Sequence, residues 1–112
     1  MDRRWTIILI AGLMEVVWAV AMDYSEGFTI WYYDVVVVIF LAASTILLAK
    51  SLSAGLPVGT AYAVWTGIGA AGTLVVSAAL GNESLSLIRV IFVIMIIGGI
   101  VGLQATTSPG TE

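Results

Sequence analysis

Residues 5–22 read WTIILIAGLMEVVWAVAM, an apolar run with a single charge, Glu15, near its middle. About 20 apolar residues suffice to carry a helix across a bilayer. In lipid the backbone must satisfy its own hydrogen bonds, so only a helix or a closed barrel can span. A barrel strand alternates polar and apolar residues. This run does not, and neither does VVVVIFLAA at 35–43. The expectation is therefore a membrane helix with a carboxylate at depth. On insertion scales such a group costs about 2.5–3.5 kcal/mol, and it is tolerated when it faces a watery cavity or a partner. Burial favours the neutral form of a carboxylate, and a nearby cation favours the charged form. One such group can therefore hold a proton or a cationic substrate in turn. The plainer reading is a Glu that snorkels or pairs structurally inside a bundle.

Working outward, three more apolar spans follow, at 30–49, 58–80 and 85–105. The links DYSEGFT, KSLSAGLP and GNES carry the turn residues Gly, Ser, Asn and Pro. Short links make successive helices antiparallel. The expected fold is an all-α membrane protein of four transmembrane helices, one domain over 1–112, with the tail TTSPGTE frayed. MDRR before an apolar run, with Ala19-Val20-Ala21 behind it, also has the outline of a signal peptide. Glu15 inside that run speaks against cleavage. Arg3, Arg4 and Lys50 fall on one side of the membrane and Arg89 on the other. The excess of Lys and Arg marks the cytoplasmic side. Both termini are therefore expected in the cytoplasm, with a multi-pass chain in the cell membrane. Asp23, Glu26, Asp34 and Glu83 collect on the opposite side.

Composition agrees. The chain has 112 residues, of which 61% are hydrophobic and 10% charged, against about 45–50% and 25% in a soluble domain. Neither Cys nor His is present. That removes disulfides, thiolate nucleophiles, zinc clusters and the usual general base, so no enzyme, metal or cofactor is expected. A net charge of −3 with four basic residues leaves no basic patch for nucleic acid.

Around Glu15, helical spacing puts Gly12, Trp18 or Ala19, and Met22 on one face. Gly12 allows close approach of another helix or a substrate. An indole one turn from a carboxylate suits a cation. Trp18 lies away from the end of its span, whereas Trp5, Trp31, Tyr32 and Tyr33 sit where interfacial aromatic belts form. In the third span, LPVGTAYAVWTGIGAAG, Tyr62 and Trp65 share a face with Gly69. Tyr62 can donate to a carboxylate. Gly67, Gly69 and Gly72 allow a bend, and equally allow close packing between helices. Ser44 is polar inside the second span. On spacing alone it is expected to bond its own backbone four residues back, and Thr45 has no stronger claim. In the fourth span, Gly98 and Gly102 form a small-xxx-small pair suited to helix association.

Taken together, these residues resemble the small multidrug resistance family. The specific pieces are Gly12-Leu13-Met14-Glu15-Val16-Val17-Trp18-Ala19 and the run PVGTAYAVWTGIGA at 57–70. The Trp65-Thr66-Gly67-Ile68-Gly69-Ala70 stretch and the loop Tyr24-Ser25-Glu26-Gly27-Phe28 are similar to the guanidinium-exporter branch. The resemblance implies a dimer, antiparallel in the best-known form, with both active glutamates facing one central site. It implies Glu15 as that glutamate, with Trp18, Trp65, Tyr62 and Ser44 around it and Gly12 one turn before. It places the hinge at Gly67 and Gly69, and the dimer contact at Gly98 and Gly102. The function implied is proton-coupled export of guanidinium or a similar small cation, with protons, lipid and a second chain as partners. Asp23 stands where members usually carry Lys, Ser84 follows Glu83 where a Pro is common, and the link at 51–56 is about a residue longer. The charge bias fits a chain inserted one way round. Its partner is then either a second copy or an oppositely oriented homologue. Rival readings are an exporter of quaternary ammonium or aromatic cations, a passive channel or proton-ring subunit, and an inactive assembly partner.

Overall fold

The computed structural model describes residues 3–82 and 84–107. These form four helices and no strand: α1 (Arg3–Tyr24), α2 (Trp31–Ser53), α3 (Val58–Ala79) and α4 (Leu87–Thr106). Each holds 20–23 residues, a rise of about 30–35 Å, and each is apolar enough to span a membrane. Glu83 and residues 108–112 lie outside the described residues; of the tail expected to fray, Thr106 still closes α4 and the Thr107 amide donates to Leu103 O at 3.0 Å.

α2 runs four residues further than the sequence suggests. KSLS reads as a loop by composition, yet Lys50 to Ser53 complete a helical turn. The stop is made just afterwards. Gly55 takes φ +107°, the Gly55 amide donates to Leu52 O at 3.0 Å, and the Leu56 amide donates to Ser51 O at 3.1 Å. This paired closure of the last turn favours glycine at the left-handed position and an apolar residue after it. Leu56 is buried accordingly. Arg4, also buried, donates to Gly55 O at 3.1 Å and ties the start of α1 to this link.

The link between α1 and α2 turns through Glu26, Gly27 and Phe28, all with positive φ. Ser25 holds it. Its Oγ donates to Met22 O at 2.7 Å and accepts from the Phe28 amide at 3.1 Å.

α1 packs along both α2 and α3, and α4 leans mainly on α3. The core gathers Trp5, Ile8, Ala11, Leu48, Leu56, Ala61 and Val64. Trp5 was expected in an interfacial belt and is instead 3% exposed. The 54–57 link folds against the start of α1 through the Arg4 bond to Gly55 O, and Trp5 joins Leu56 in the buried cluster. Trp31 and Tyr32, at the opposite end, are exposed. α4 buries none of its residues. Its Ile94, Met95, Ile97 and Val101 are all exposed, a surface that only lipid or another chain can cover.

Candidate functional site

Glu15 is half-buried on α1, and the helix facing it has no side chain at the point of contact. A Cβ built on Gly69 would collide with the Glu15 carboxylate. The same register continues to either side. A Cβ on Gly12 would fall 2.8 Å from Ile68 Cβ, and one on Gly72 would strike Val16. Small residues let these two parallel helices approach closely. Gly12, Gly69 and Gly72 therefore set how near α3 comes to Glu15.

A hydrogen-bonded chain crosses three helices at this level. Trp65 Nε1 on α3 donates to Ser44 Oγ at 2.9 Å. Ser44 Oγ on α2 donates to Ala11 O on α1 at 2.7 Å. In a helix the carbonyl of residue 11 also receives the amide of residue 15, so the chain ends on the turn that carries Glu15. The expected bond of Ser44 to its own helix is not what forms. Ser44 is fully buried against α1, and the Ala11 carbonyl is within reach across the contact. Thr45 beside it makes the bond of that kind, donating to Leu41 O at 2.8 Å.

Tyr62 meets Trp65 edge to face, with ring centroids 6.2 Å apart and planes at 81°. Its side chain is 48% exposed. Trp18 lies one turn beyond Glu15, half-buried, with an indole nitrogen that is buried and has no hydrogen-bond partner among the described residues. Glu15, Gly12, Ser44, Trp65 and Gly69 are thus gathered at one level, with Tyr62 and Trp18 flanking them. Gly67 points elsewhere: a Cβ there would meet Ile96 at 3.1 Å and Ile100 at 3.3 Å on α4. Gly98 and Gly102 face open space, with nothing within 4 Å of an added Cβ.

Sequence reasoning missed one polar group near the site. Thr73 Oγ1 is buried without a partner among the described residues. Its signal was available, because it lies four residues after Gly69, on the stripe that carries Tyr62.

Comparison with known proteins adds to this geometry. Residues 3–96 match the family model described as Small Multidrug Resistance protein. The chain is 47% identical over 100 residues to the guanidinium exporter of Yersinia pseudotuberculosis serotype I (strain IP32953), covering 89% of this chain and 95% of that one. Over 103 residues it is 46% identical to the guanidinium exporter of Escherichia coli (strain K12), covering 92% and 97%. The guanidinium exporter of Salmonella typhimurium is 43% identical over the same shares.

Proposed function

The chain belongs to the small multidrug resistance family, and from that premise we propose that it is a proton-coupled guanidinium exporter of the cell membrane. One observation carries the proposal: a lone carboxylate at membrane depth, Glu15, packed on Gly69 beside the Trp65–Ser44–Ala11 chain. The names of its relatives point to the same cargo.

The chemistry follows from the residues. Guanidinium is planar, carries its donors in a fixed geometry and pairs with carboxylates through parallel hydrogen bonds. The indole faces of Trp18 and Trp65 suit a cation. In a dimer, Glu15 and its counterpart in the partner chain meet at one site and hold either protons or the cation. Protons arriving from outside displace the cation outward, and the site then faces inward. Gly67 and Gly69 supply a bend in α3 that exchanges the two openings, as in other transporters built from paired units. Gly98 and Gly102 on the open face of α4 supply the contact between chains. Charge is unevenly placed. Arg3, Arg4 and Lys50 sit at one end of the helices, and Asp23, Glu26 and Asp34, with the single base Arg89, at the other. An antiparallel partner brings opposite charges together at each membrane surface. The same bias fixes insertion to one direction by the positive-inside rule, with the termini in the cytoplasm. It therefore favours an oppositely oriented homologue over a second copy as that partner.

Reconstitution of the chain in liposomes, with charge movement recorded on adding guanidinium, tests the reading. The wild type, alone or together with an oppositely biased homologue, is expected to give currents coupled to a proton gradient. Glu15→Gln should abolish them, because an amide neither binds nor releases the proton. Coupled transport retained in that variant would refute the assignment. Currents evoked by quaternary ammonium and not by guanidinium would favour the multidrug reading. Silence from the folded chain alone, relieved by an oppositely biased homologue, would identify a two-chain exporter.

A further inference from the structure

Thr73 has no part in the reading above, and its hydroxyl behaves unlike others in these helices. A hydroxyl in an apolar helix commonly returns to a carbonyl one turn back. Thr45 donates to Leu41 O at 2.8 Å, Ser51 to Leu48 O at 2.7 Å, and Thr106 to Gly102 O at 2.8 Å. Thr73 Oγ1 is buried and makes no such bond, nor any other among the described residues. Leaving a buried polar atom unpaired costs free energy and calls for an explanation.

Its placement supplies one. Tyr62, Thr66, Gly69 and Thr73 recur at spacings of four, three and four, which puts them on one stripe of α3. Gly69 is the point where this stripe meets the Glu15 carboxylate. Thr73 lies one turn further, about 6 Å along the helix axis. One planar cation with a hydrogen bond of about 2.9 Å on either side can bridge that distance.

A cation bearing several N–H groups brings donors on every edge and no acceptor. A carboxylate covers one edge, and the remaining donors need acceptors or stay in water. The groups near Glu15 offer few. Ser44 Oγ already donates to Ala11 O and accepts from Trp65 Nε1. The indole nitrogens of Trp18 and Trp65 only donate. Of the stripe's hydroxyl residues, Tyr62 and Thr66 are exposed, and Thr73 holds its oxygen inside. We propose that Thr73 Oγ1 accepts a hydrogen bond from an N–H group of the cation held at Glu15, and so helps select N–H-bearing cations over quaternary ones. The proposal rests on the export reading, since it assigns a ligand group to that same site.

Calorimetric binding of guanidinium and of tetramethylammonium to the full chain tests it, in the wild type, Thr73→Val and Thr73→Ser. Valine keeps the shape and removes the hydroxyl. Thr73→Val is expected to bind guanidinium about tenfold more weakly, or about 1.4 kcal/mol, with Thr73→Ser near the wild type. Tetramethylammonium has no N–H, so its binding should not change. Should the wild type not bind it, serine rescue at an unchanged unfolding temperature makes the same distinction. Equal guanidinium binding by Thr73→Val, or equal weakening for both cations, would overturn the proposal and leave Thr73 a packing residue. A wild type that binds no guanidinium, either alone or together with an oppositely biased homologue, would sink the export reading, and this proposal with it. Normal wild-type binding that Thr73→Val leaves intact would sink this proposal alone.

Discussion

Ser44 shows how much one hydroxyl can organise. It accepts from Trp65 on one helix and donates to the Ala11 carbonyl on another, so three helices are fixed at the level of Glu15. Replacing Ser44 by Ala leaves the Trp65 nitrogen without its acceptor. Unpaired buried donors cost about 1–3 kcal/mol, and the unfolding temperature of Ser44→Ala in detergent should fall by a corresponding amount. Thr45→Ala is the matched control. Its hydroxyl is exposed and bonds only within its own helix, so its loss should scarcely register. Equal stability of the two variants would show that the cross-helix chain contributes little. Spacing alone could not have separated these neighbours. Both are hydroxyls in an apolar run, and what distinguishes them is the Ala11 carbonyl, thirty-three residues away in sequence. The family resemblance did raise Ser44, without saying which atoms it would join.

At the scale of the element, the helices were legible because each is a long apolar run between turn residues. Their ends were less so. The last turn of α2 is polar, and only the Gly55 closure shows where it stops. Trp5 was misplaced for a related reason. Its position near the start of α1 suggests an interface, while the fold of the 54–57 link against that start makes it core. α4 is the opposite case, without a polar side chain from Val90 to Leu103 and with no buried residue. A Cβ added at Gly98 meets nothing within 4 Å, so if the proposed dimer contact lies here its effect reads on association rather than on folding. Gly98→Leu should keep the helix content and unfolding behaviour of a single chain while shifting a purified dimer toward monomer. Crosslinking that finds the dimer undiminished would move the contact away from this face. The glycines of α3 divide differently. Gly69 and Gly72 give α1 room, and Gly67 gives α4 room. The close packing read from the sequence is therefore present in a continuous α3, and the bend at Gly67 and Gly69 stands as part of the proposed transport cycle.

For the whole molecule, the arrangement is a thin layer of helices, 44 × 34 × 18 Å, with one carboxylate at depth and charge sorted to its two ends. In the proposed dimer, a second chain encloses the site that such a layer offers on one face. If Glu15 holds proton and cation in turn, the two must be linked reciprocally: each lowers the affinity for the other by the same factor. That linkage can be read without transport, by adding guanidinium to the purified protein in weak buffer over a series of pH values and recording protons released. The shared site predicts release that grows as the pH is lowered into the range where Glu15 is protonated, and none from Glu15→Gln. Guanidinium bound at every pH with no proton released from the wild type would contradict it.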